Sequence, residues 1–194
     1  MGSALQNAGS LIINSLFDFF LFIILLRFLL QLTRADFYNP LSQFVVKLSS
    51  PILLPLRRII PGYAGLDMAA LLLAFVIAFI KNGLLFMLVF QLKPHLLGLV
   101  LFAIADIISS LVFIYFLAIL AQIILSWVSA GNYNPIAYVL FNLTEPIMSR
   151  VRRVVPPISG FDLSPIPVLI GLQLINILVV NQLKALGGQF ILGV

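Results

Sequence analysis

The chain has 194 residues, of which 62% are hydrophobic and only 9% are charged, and its formal net charge is +5. Globular proteins have roughly 45–50% apolar and about 25% charged residues, so the composition excludes a water-soluble fold and indicates an integral membrane protein. Zero cysteines and a single histidine, His95, exclude disulfides, thiol catalysis and thiolate or His-rich metal centres.

The first predicted span runs from about residue 11 to 32, close to the roughly 20 apolar residues that cross a bilayer. It contains Asp18 and, near its far end, Arg27. A long arginine side chain near the end of a span can snorkel to the interface, which is the role we predict for Arg27. Asp18 has no evident partner in the sequence, and we interpret it as facing a polar cavity.

The segment 38–61 is too rich in proline to span the membrane and too apolar for a solvated loop. Its helix-start and helix-stop signals are Asn39-Pro40, Ser50-Pro51 and Pro61. An N-cap residue followed by proline at the first helical position is a good helix start. We predict two short amphipathic helices in the interface plane, with Arg57 and Arg58 among the lipid phosphates.

The second span is predicted at about 68–92 and the third at about 96–128, with a turn at Lys93 between them. Lys81 precedes Lys93 by 12 residues and Asp106 follows it by 13, so a helical hairpin places both charges at the same depth. An ionised group near the bilayer centre costs about 2.5–3.5 kcal/mol, and we therefore predict that Lys81 pairs with Asp106. The sequence leaves open whether this pair holds the hairpin together or belongs to an ion pathway.

A second surface segment follows at 133–156, and the fourth span is predicted at about 166–183. Gly187 and Gly188 are interpreted as part of a short tail after this span.

The surface segment and its flanks form a repeat with a constant shift of 95 positions, from Pro51 to Pro146 and from Pro61 to Pro156. The other matching pairs are Asn39 and Asn134, Pro40 and Pro135, Arg57 and Arg152, Arg58 and Arg153, Gly65 and Gly160, and Asp67 and Asp162. The chain divides into residues 1–93 and 94–194. Each repeat contributes two spans, so the two repeats enter the membrane in the same direction and are parallel.

The basic residues outside the spans are unevenly distributed. The two loops with the surface segments hold Arg34, Lys47, Arg57, Arg58, Arg150, Arg152 and Arg153, and the opposite side holds Lys93 and Lys184. The positive-inside rule predicts that the arginine-rich loops are cytoplasmic and that both termini are periplasmic.

Two copies of Tyr-Asn-Pro followed by P-x5-RR-x2-P-x3-G-x-D resemble the YGGT family of small bacterial membrane proteins over nearly the whole chain. The second copy departs at Arg150, aligned with Pro55, and at Pro157, aligned with Gly62. The resemblance implies a multi-pass protein of the bacterial inner membrane. It also implies roles linked to osmotic or ion-stress tolerance, to division-site organisation or, in chloroplasts, to haem attachment, and none of these includes a reaction.

The motif residues allow two interpretations each. The arginine pairs are either snorkelling anchors or a specific site for lipid headgroups or a partner protein. Asp67 and Asp162 each precede an apolar helix, so they are N-caps, partners of the nearby arginine pair, or both.

Taken together, these patterns predict an all-α integral membrane protein with four transmembrane helices in two parallel tandem repeats. No nucleophile and base pair suggests an enzyme, and we expect no metal, cofactor or nucleic acid. The favoured function is a non-enzymatic accessory, assembly or membrane-organising protein that contacts anionic lipid headgroups and other membrane proteins. The alternative is a small ion channel or transporter that uses Asp18, Lys81 and Asp106. Small-residue pairs, Ala103/Ala105 and Ala118/Ala121, leave association into homo-oligomers open.

Overall fold

A computed structural model describes residues 2–63, 65–128, 134–156 and 162–192, and this part of the chain is helical with short connections. The helices are α1 Gly2–Leu32, α2 Pro40–Ile59, α3 Met68–Leu84, α4 Leu96–Val128, α5 Pro135–Arg152, α6 Pro165–Ile175 and α7 Asn181–Leu192. A π-helical turn, Leu85–Val89, extends α3, and a second one, Asn176–Val180, joins α6 to α7.

In the described part of the chain, four helical stretches are long and apolar enough to cross a membrane: Ala4–Leu32, Met68–Val89, Leu96–Ser126 and Pro165–Ile191. The predicted all-α fold with four spans is therefore confirmed. The fourth span consists of α6, the π-helical turn and α7 together.

The fourth span is longer than predicted, because Gly187 and Gly188 lie within α7 rather than in a tail. Gly187 packs where α7 crosses α4. A Cβ atom on Gly98 of α4 would lie 2.9 Å from the carbonyl oxygen of Gly187 and 2.6 Å from Cγ1 of Ile191. The absence of side chains at this crossing lets the two backbones approach closely, as small residues do in membrane helix pairs.

The spans form an asymmetric bundle in which α1 packs on α3 and α4, α3 packs on α4, and α4 packs on α6 and α7. Ala70, Ala74 and Ala78 follow one face of α3 and are fully buried, which allows the close packing of α3 in this core. Among the described residues, neither α6 nor α7 packs against α1. The bundle is therefore open between α1 and α7.

The alanines considered for association between copies face the interior of this bundle. Ala103, Ala105 and Ala118 are buried, and Ala121 packs against the core. These positions serve packing within the chain rather than an outer surface.

Each surface segment forms one continuous helix, so the prediction of two short helices per segment was wrong. Pro51 and Pro55 lie inside α2, and Pro146 lies inside α5. Proline has no backbone N–H, so a carbonyl group of the preceding turn, that of Lys47 for Pro51, loses its helical donor. In α2, side chains bind carbonyl groups of that turn: Ser49 Oγ donates to the carbonyl of Val45 and Ser50 Oγ to that of Val46, both at 2.6 Å.

The two surface helices start side by side, at the repeated Asn-Pro motifs. The Asn39 side chain accepts a hydrogen bond from the backbone N–H of Leu41 at 3.0 Å, and Asn134 caps α5 through the N–H of Ile136 at 2.9 Å. Asn39 Nδ2 also donates to the carbonyl of Pro135 at 2.5 Å. This bond crosses between the repeats and places the two arginine-rich loops at the same end of the bundle.

Arg27 does not snorkel to the interface as the sequence predicted. It is 5% exposed and donates from Nη1 to Ser49 Oγ at 2.7 Å, to Ser50 Oγ at 2.9 Å and to the carbonyl of Val46 at 3.2 Å. The repeat-equivalent contact in the second half joins Thr144 Oγ1 to Gln122 Oε1 at 2.6 Å. In both repeats, therefore, a polar residue of the first span holds the middle of the surface helix.

Candidate functional site

A chain of ion pairs connects all four spans. Lys81 Nζ of α3 lies 2.7 Å from Asp18 Oδ1 of α1 and 2.6 Å from Asp106 Oδ2 of α4. Lys184 Nζ of α7 lies 2.8 Å from Asp106 Oδ1. We call Asp18, Lys81, Asp106 and Lys184 the charge chain. Its charges alternate in sign along the sequence and sum to zero.

The inner and outer members of the charge chain differ in exposure. The side chains of Lys81 and Asp106 are 6–7% exposed, whereas Asp18 is 50% and Lys184 39% exposed. Asn82 adds a hydrogen bond of 2.9 Å to Asp106 Oδ2 and donates to the carbonyl of Ala78 at 2.8 Å. The two buried charges thus have all their partners within the protein, which offsets their loss of hydration.

The structure confirms the predicted contact between Lys81 and Asp106, and it supplies two members that the sequence did not connect. Asp18 had no evident partner, and Lys184 was placed after the end of the fourth span. The position of Lys184 depends on the continuation of the fourth span through Gly187, which only the packing against α4 reveals.

The charge chain lines a cavity of about 650 Å³ between α1, α3, α4 and α7. Other polar lining residues are Asn14, Asn82, Ser109 and Ser110, and phenylalanines form much of the remaining wall: Phe19, Phe22, Phe86, Phe90, Phe102 and Phe113. We call this space the charged cavity. Its volume is typical of sites that hold small molecules, which occupy roughly 300–1,000 Å³.

A second, apolar pocket of about 190 Å³ lies next to the charged cavity. Phe22 and Leu117 line both spaces. The walls of the smaller pocket come from α1, α2, α4 and α5, and they include Leu30, Leu41 and Leu143. The polar lining therefore ends at Phe22 and Leu117, and the space beyond them is apolar.

The repeated arginines and aspartates form the same ion pair in both halves of the chain. Arg57 pairs with Asp67, and Arg152 Nε lies 2.9 Å from Asp162 Oδ2. Each of these arginines has a further partner that differs between the two repeats. This partner is Gln31, 2.7 Å from Arg57, and Glu145, 2.8 Å from Arg152. The first arginine of each pair is thus bound within its own repeat.

The aspartates also organise the start of the following span. Asp67 is the N-cap of α3 and accepts from the backbone N–H of Ala70 at 3.2 Å. Asp162 accepts from the N–H of Ser164 at 2.9 Å and from the Ser164 hydroxyl. Asp67 is therefore both a helix N-cap and a partner of the arginine pair. Asp162 is also a partner of an arginine, but the N-cap of α6 is Ser164, to which Asp162 is hydrogen-bonded.

The contacts of Asp162 and Arg152 stabilise their charged forms. Burial alone raises the pKa of Asp162, but hydrogen bonds from Ser164 and Arg152 outweigh it and hold this pKa below its ordinary value. Burial lowers the pKa of Arg152, and the two carboxylates of Asp162 and Glu145 outweigh it and raise this pKa.

The second arginine of each pair is exposed. Arg58 and Arg153 point away from the core, and neither forms an ion pair with any residue that the structure describes. Ile59 and Val154, the next residues in the two repeats, are each 81% exposed. The ends of α2 and α5 therefore present a cation beside an apolar side chain in both repeats.

The remaining motif residues shape the connections. Gly65 has a φ of +82°, a left-handed conformation that glycine adopts without strain, in the turn where Tyr63 and Leu66 pair. Pro61 and Pro156 follow α2 and α5, and Pro40 and Pro135 are their first residues. Gly160, the counterpart of Gly65, lies outside the described residues.

A family model described as CCB3/YggT matches residues 6–88 and again residues 101–183. The uncharacterized protein PA0392 of Pseudomonas aeruginosa is 43% identical over 186 residues, which cover 95% of this chain and 94% of that protein. The uncharacterized protein YggT of Escherichia coli K12 is 36% identical over 189 residues, which cover 97% of each. No solved structure matches the chain. Because the two matched segments repeat the sequence register and relatives align over nearly their whole length, the chain belongs to the CCB3/YggT family.

Proposed function

We propose that this protein is a non-enzymatic organiser of the bacterial inner membrane, which presents the ends of α2 and α5 to anionic lipid headgroups and to other membrane proteins. The strongest support is that the two arginines of each pair differ in their contacts. Arg57 and Arg152 are bound to aspartates, whereas Arg58 and Arg153 are exposed and unpaired among the described residues.

The surroundings of these two arginines suit a membrane interface. Phe44, Ile52 and Leu54 of α2 are 42–55% exposed, and Tyr138 and Phe141 of α5 are 40–51% exposed. Exposed apolar side chains beside cations are typical of helices in the interface plane, where a basic residue gains about 1 kcal/mol from anionic lipid. Burial of one stripe of α2, which includes Val45 and Leu53, fixes which side faces outward.

The proposed topology places the arginine-rich loops in the cytoplasm and both termini in the periplasm. It rests on the excess of basic residues in the arginine-rich loops over those on the opposite side. This excess is larger than the sequence indicated, because Lys184 belongs to the charge chain. Of the two basic residues counted on the opposite side, Lys93 remains in a loop. Reporter fusions at either terminus should read periplasmic. Cytoplasmic readings, together with labelling of Arg58→Cys from outside the cell, would overturn this orientation.

The lipid part of the proposal is tested by the double variant Arg58→Gln/Arg153→Gln. Extraction of the full protein with its surrounding lipids should recover less phosphatidylglycerol and cardiolipin per protein than extraction of the wild type. The control is Lys93→Gln, which removes a cation from the opposite loop. Equal anionic lipid in all three samples would refute a headgroup site at these arginines.

The partner and physiological parts need a cell. Crosslinking from native membranes should capture neighbouring proteins in the wild type that the double variant loses. We also propose a link to osmotic or ion stress or to cell division, tested by growth and division of a deletion strain under high salt. Complementation by the double variant as full as that by wild type would contradict a role of the arginines in it.

An ion channel or transporter is the second candidate, because four charged side chains line one cavity. The apolar walls beyond Phe22 and Leu117 interrupt the polar lining toward α2 and α5, which favours the organising role. Ion flux into liposomes that contain the purified protein, compared with Asp106→Asn, separates the two. Flux that requires Asp106 would replace the organiser by a transporter.

A further inference from the structure

We propose that the charged cavity and the adjoining apolar pocket bind one zwitterionic amphiphile, with its cationic group at Asp18, its anionic group at Lys184 and its acyl chain past Phe22 and Leu117. This site is separate from the exposed arginines at the ends of α2 and α5. Three features support it: the unequal exposure of the charges in the cavity, the apolar pocket that shares Phe22 and Leu117 with it, and its open side between α1 and α7.

The exposed charges of the cavity select a ligand of both signs. Lys81 and Asp106 are buried and bound to each other, to Asp18, Lys184 and Asn82. What remains available is the half-exposed carboxylate of Asp18 and the half-exposed ammonium of Lys184. A purely anionic headgroup would meet Asp18 and a purely cationic one would meet Lys184, and each such contact between like charges is unfavourable.

The rest of the lining suits an acyl chain and a quaternary or primary ammonium group. Phenylalanines form most of the apolar part of the wall, and Phe86 and Phe102 meet edge to face with ring centroids 5.1 Å apart. Aromatic faces attract cations as well as apolar groups. Beyond Phe22 and Leu117 the walls are leucine, isoleucine, valine and alanine. These side chains offer no hydrogen bond to a headgroup, but they can make apolar contacts with an acyl chain.

The bundle provides a way in for a lipid. Asp18 lies on α1 and Lys184 on α7, and these two helices do not pack against each other in the described part of the chain. The cavity therefore opens sideways between spans, where the surrounding solvent of a membrane protein is lipid. A charged wall at such an opening requires water or a headgroup as its neighbour.

The test measures binding of four probes to the full-length protein in dodecyl maltoside, with mole fractions in the micelle as concentrations. The probes are palmitoyl lysophosphatidylethanolamine, palmitoyl lysophosphatidylglycerol, hexadecyltrimethylammonium and free phosphoethanolamine. We expect the zwitterionic lysolipid to bind about tenfold or more tightly than either singly charged amphiphile. Equal binding of the three amphiphiles would overturn the proposal, and phosphoethanolamine that binds as tightly as the lysolipid would refute the acyl-chain part.

Two charge variants make the test specific, because each removes an outer member and leaves the pair of Lys81 and Asp106 in place. Asp18→Asn should shift the preference by about tenfold toward the anionic lysolipid. Lys184→Gln should shift it by a similar factor, about tenfold, toward the cationic amphiphile. Lys93→Gln, in the loop before α4, is the control and should leave the preference unchanged. Variants that weaken all probes alike, or a control that shifts the preference equally, would refute charge selection in the cavity.

A photoactivatable lysophosphatidylethanolamine provides a measurement on the wild type that does not depend on how the variants fold. With the reactive group on the acyl chain, labelled peptides should come from α1 and α4 around Phe22 and Leu117. Competition by unlabelled lysophosphatidylethanolamine should remove the label. Labelling confined to outward-facing residues of α2 and α5, such as Phe44 and Phe141, would assign the lipid to the outer surface and overturn the cavity site.

Discussion

Removing one inner member of the charge chain should destabilise the protein more than removing both. Lys81→Met takes away the partner of two carboxylates, which lie 2.7 and 2.6 Å from its ammonium group. Breaking a buried pair costs about 3–5 kcal/mol. Asp106 keeps Lys184 and Asn82 and Asp18 is half exposed, so we expect the lower end, about 3 kcal/mol. For a chain of this size that lowers Tm by roughly 6–12 °C.

Asp106→Leu alone should act in the same direction, because it releases Lys184 and leaves Lys81 with only Asp18. The double variant retains one half-exposed carboxylate and one half-exposed ammonium group. It should therefore recover to within about 1–2 kcal/mol of the wild type. Lys93→Met, in the loop, is the control and should change stability by less than about 0.5 kcal/mol.

The assay is thermal loss of helical circular dichroism for the four variants in the same detergent. A coupling energy appears as a double variant that is more stable than the sum of the two single effects predicts. Additive losses would refute the reasoning, because they would mean that Lys81 and Asp106 do not stabilise each other. Recovery of stability together with a lost cellular phenotype would instead support an ion-pathway role for the pair.

Three further predictions concern other contacts. Gly98→Ala should lower the free energy of unfolding by about 1–3 kcal/mol through overpacking, because its Cβ would lie 2.9 Å from a backbone oxygen of α7. Gly83→Ala is the control: a Cβ there meets nothing within 4 Å, so this variant should be neutral or stabilising in the same thermal melt. Arg27→Met should speed amide hydrogen exchange in the middle of α2 by roughly tenfold or more, since a hydrogen bond from a charged group contributes about 1.5–3 kcal/mol. Unchanged exchange rates would contradict the inference that Arg27 stabilises the middle of α2. Asp162→Asn should lower Tm near neutral pH and less so in acid. The pKa of Asp162 is held below its ordinary value, so its stabilisation is complete above about pH 4 and decreases as pH falls further. A Tm difference of the same size at pH 7 and pH 3 would be inconsistent with this ion pair.

Local signals in the sequence were enough for much of the fold. The four spans follow from apolar runs of sufficient length, and Asn39 and Asn134 cap the helices they precede. The contact of Lys81 with Asp106 follows from equal depth in a hairpin. Each of these depends on spacing along the chain and on the cost of burying polar groups, which need no knowledge of the neighbouring helices.

The missed features depend on contacts between distant segments. α2 continues through Pro51 and Pro55, and the turn before Pro51 is bound by Arg27, which lies 22 residues from Ser49 along the chain. Lys184 was placed after the fourth span, because Gly187 and Gly188 suggest a helix end unless the packing of this segment against α4 is known. The repeat did not predict the charge chain either, since the positions equivalent to Asp18 and Lys81 are Phe113 and Asn176.

The alternation of sign in the charge chain has a consequence for biogenesis. Asp18 and Lys81 belong to the first repeat and Asp106 and Lys184 to the second, and within the charge chain the contact of Lys81 with Asp106 joins the repeats. The charge-chain members of each pair of spans therefore neutralise each other before the other pair arrives. Since charged side chains oppose insertion of single helices, the nascent chain can enter the bilayer as two hairpins in which these charges are already paired, the first while the second is still on the ribosome. Their docking then exchanges no charge with the lipid and requires only that the two hairpins meet.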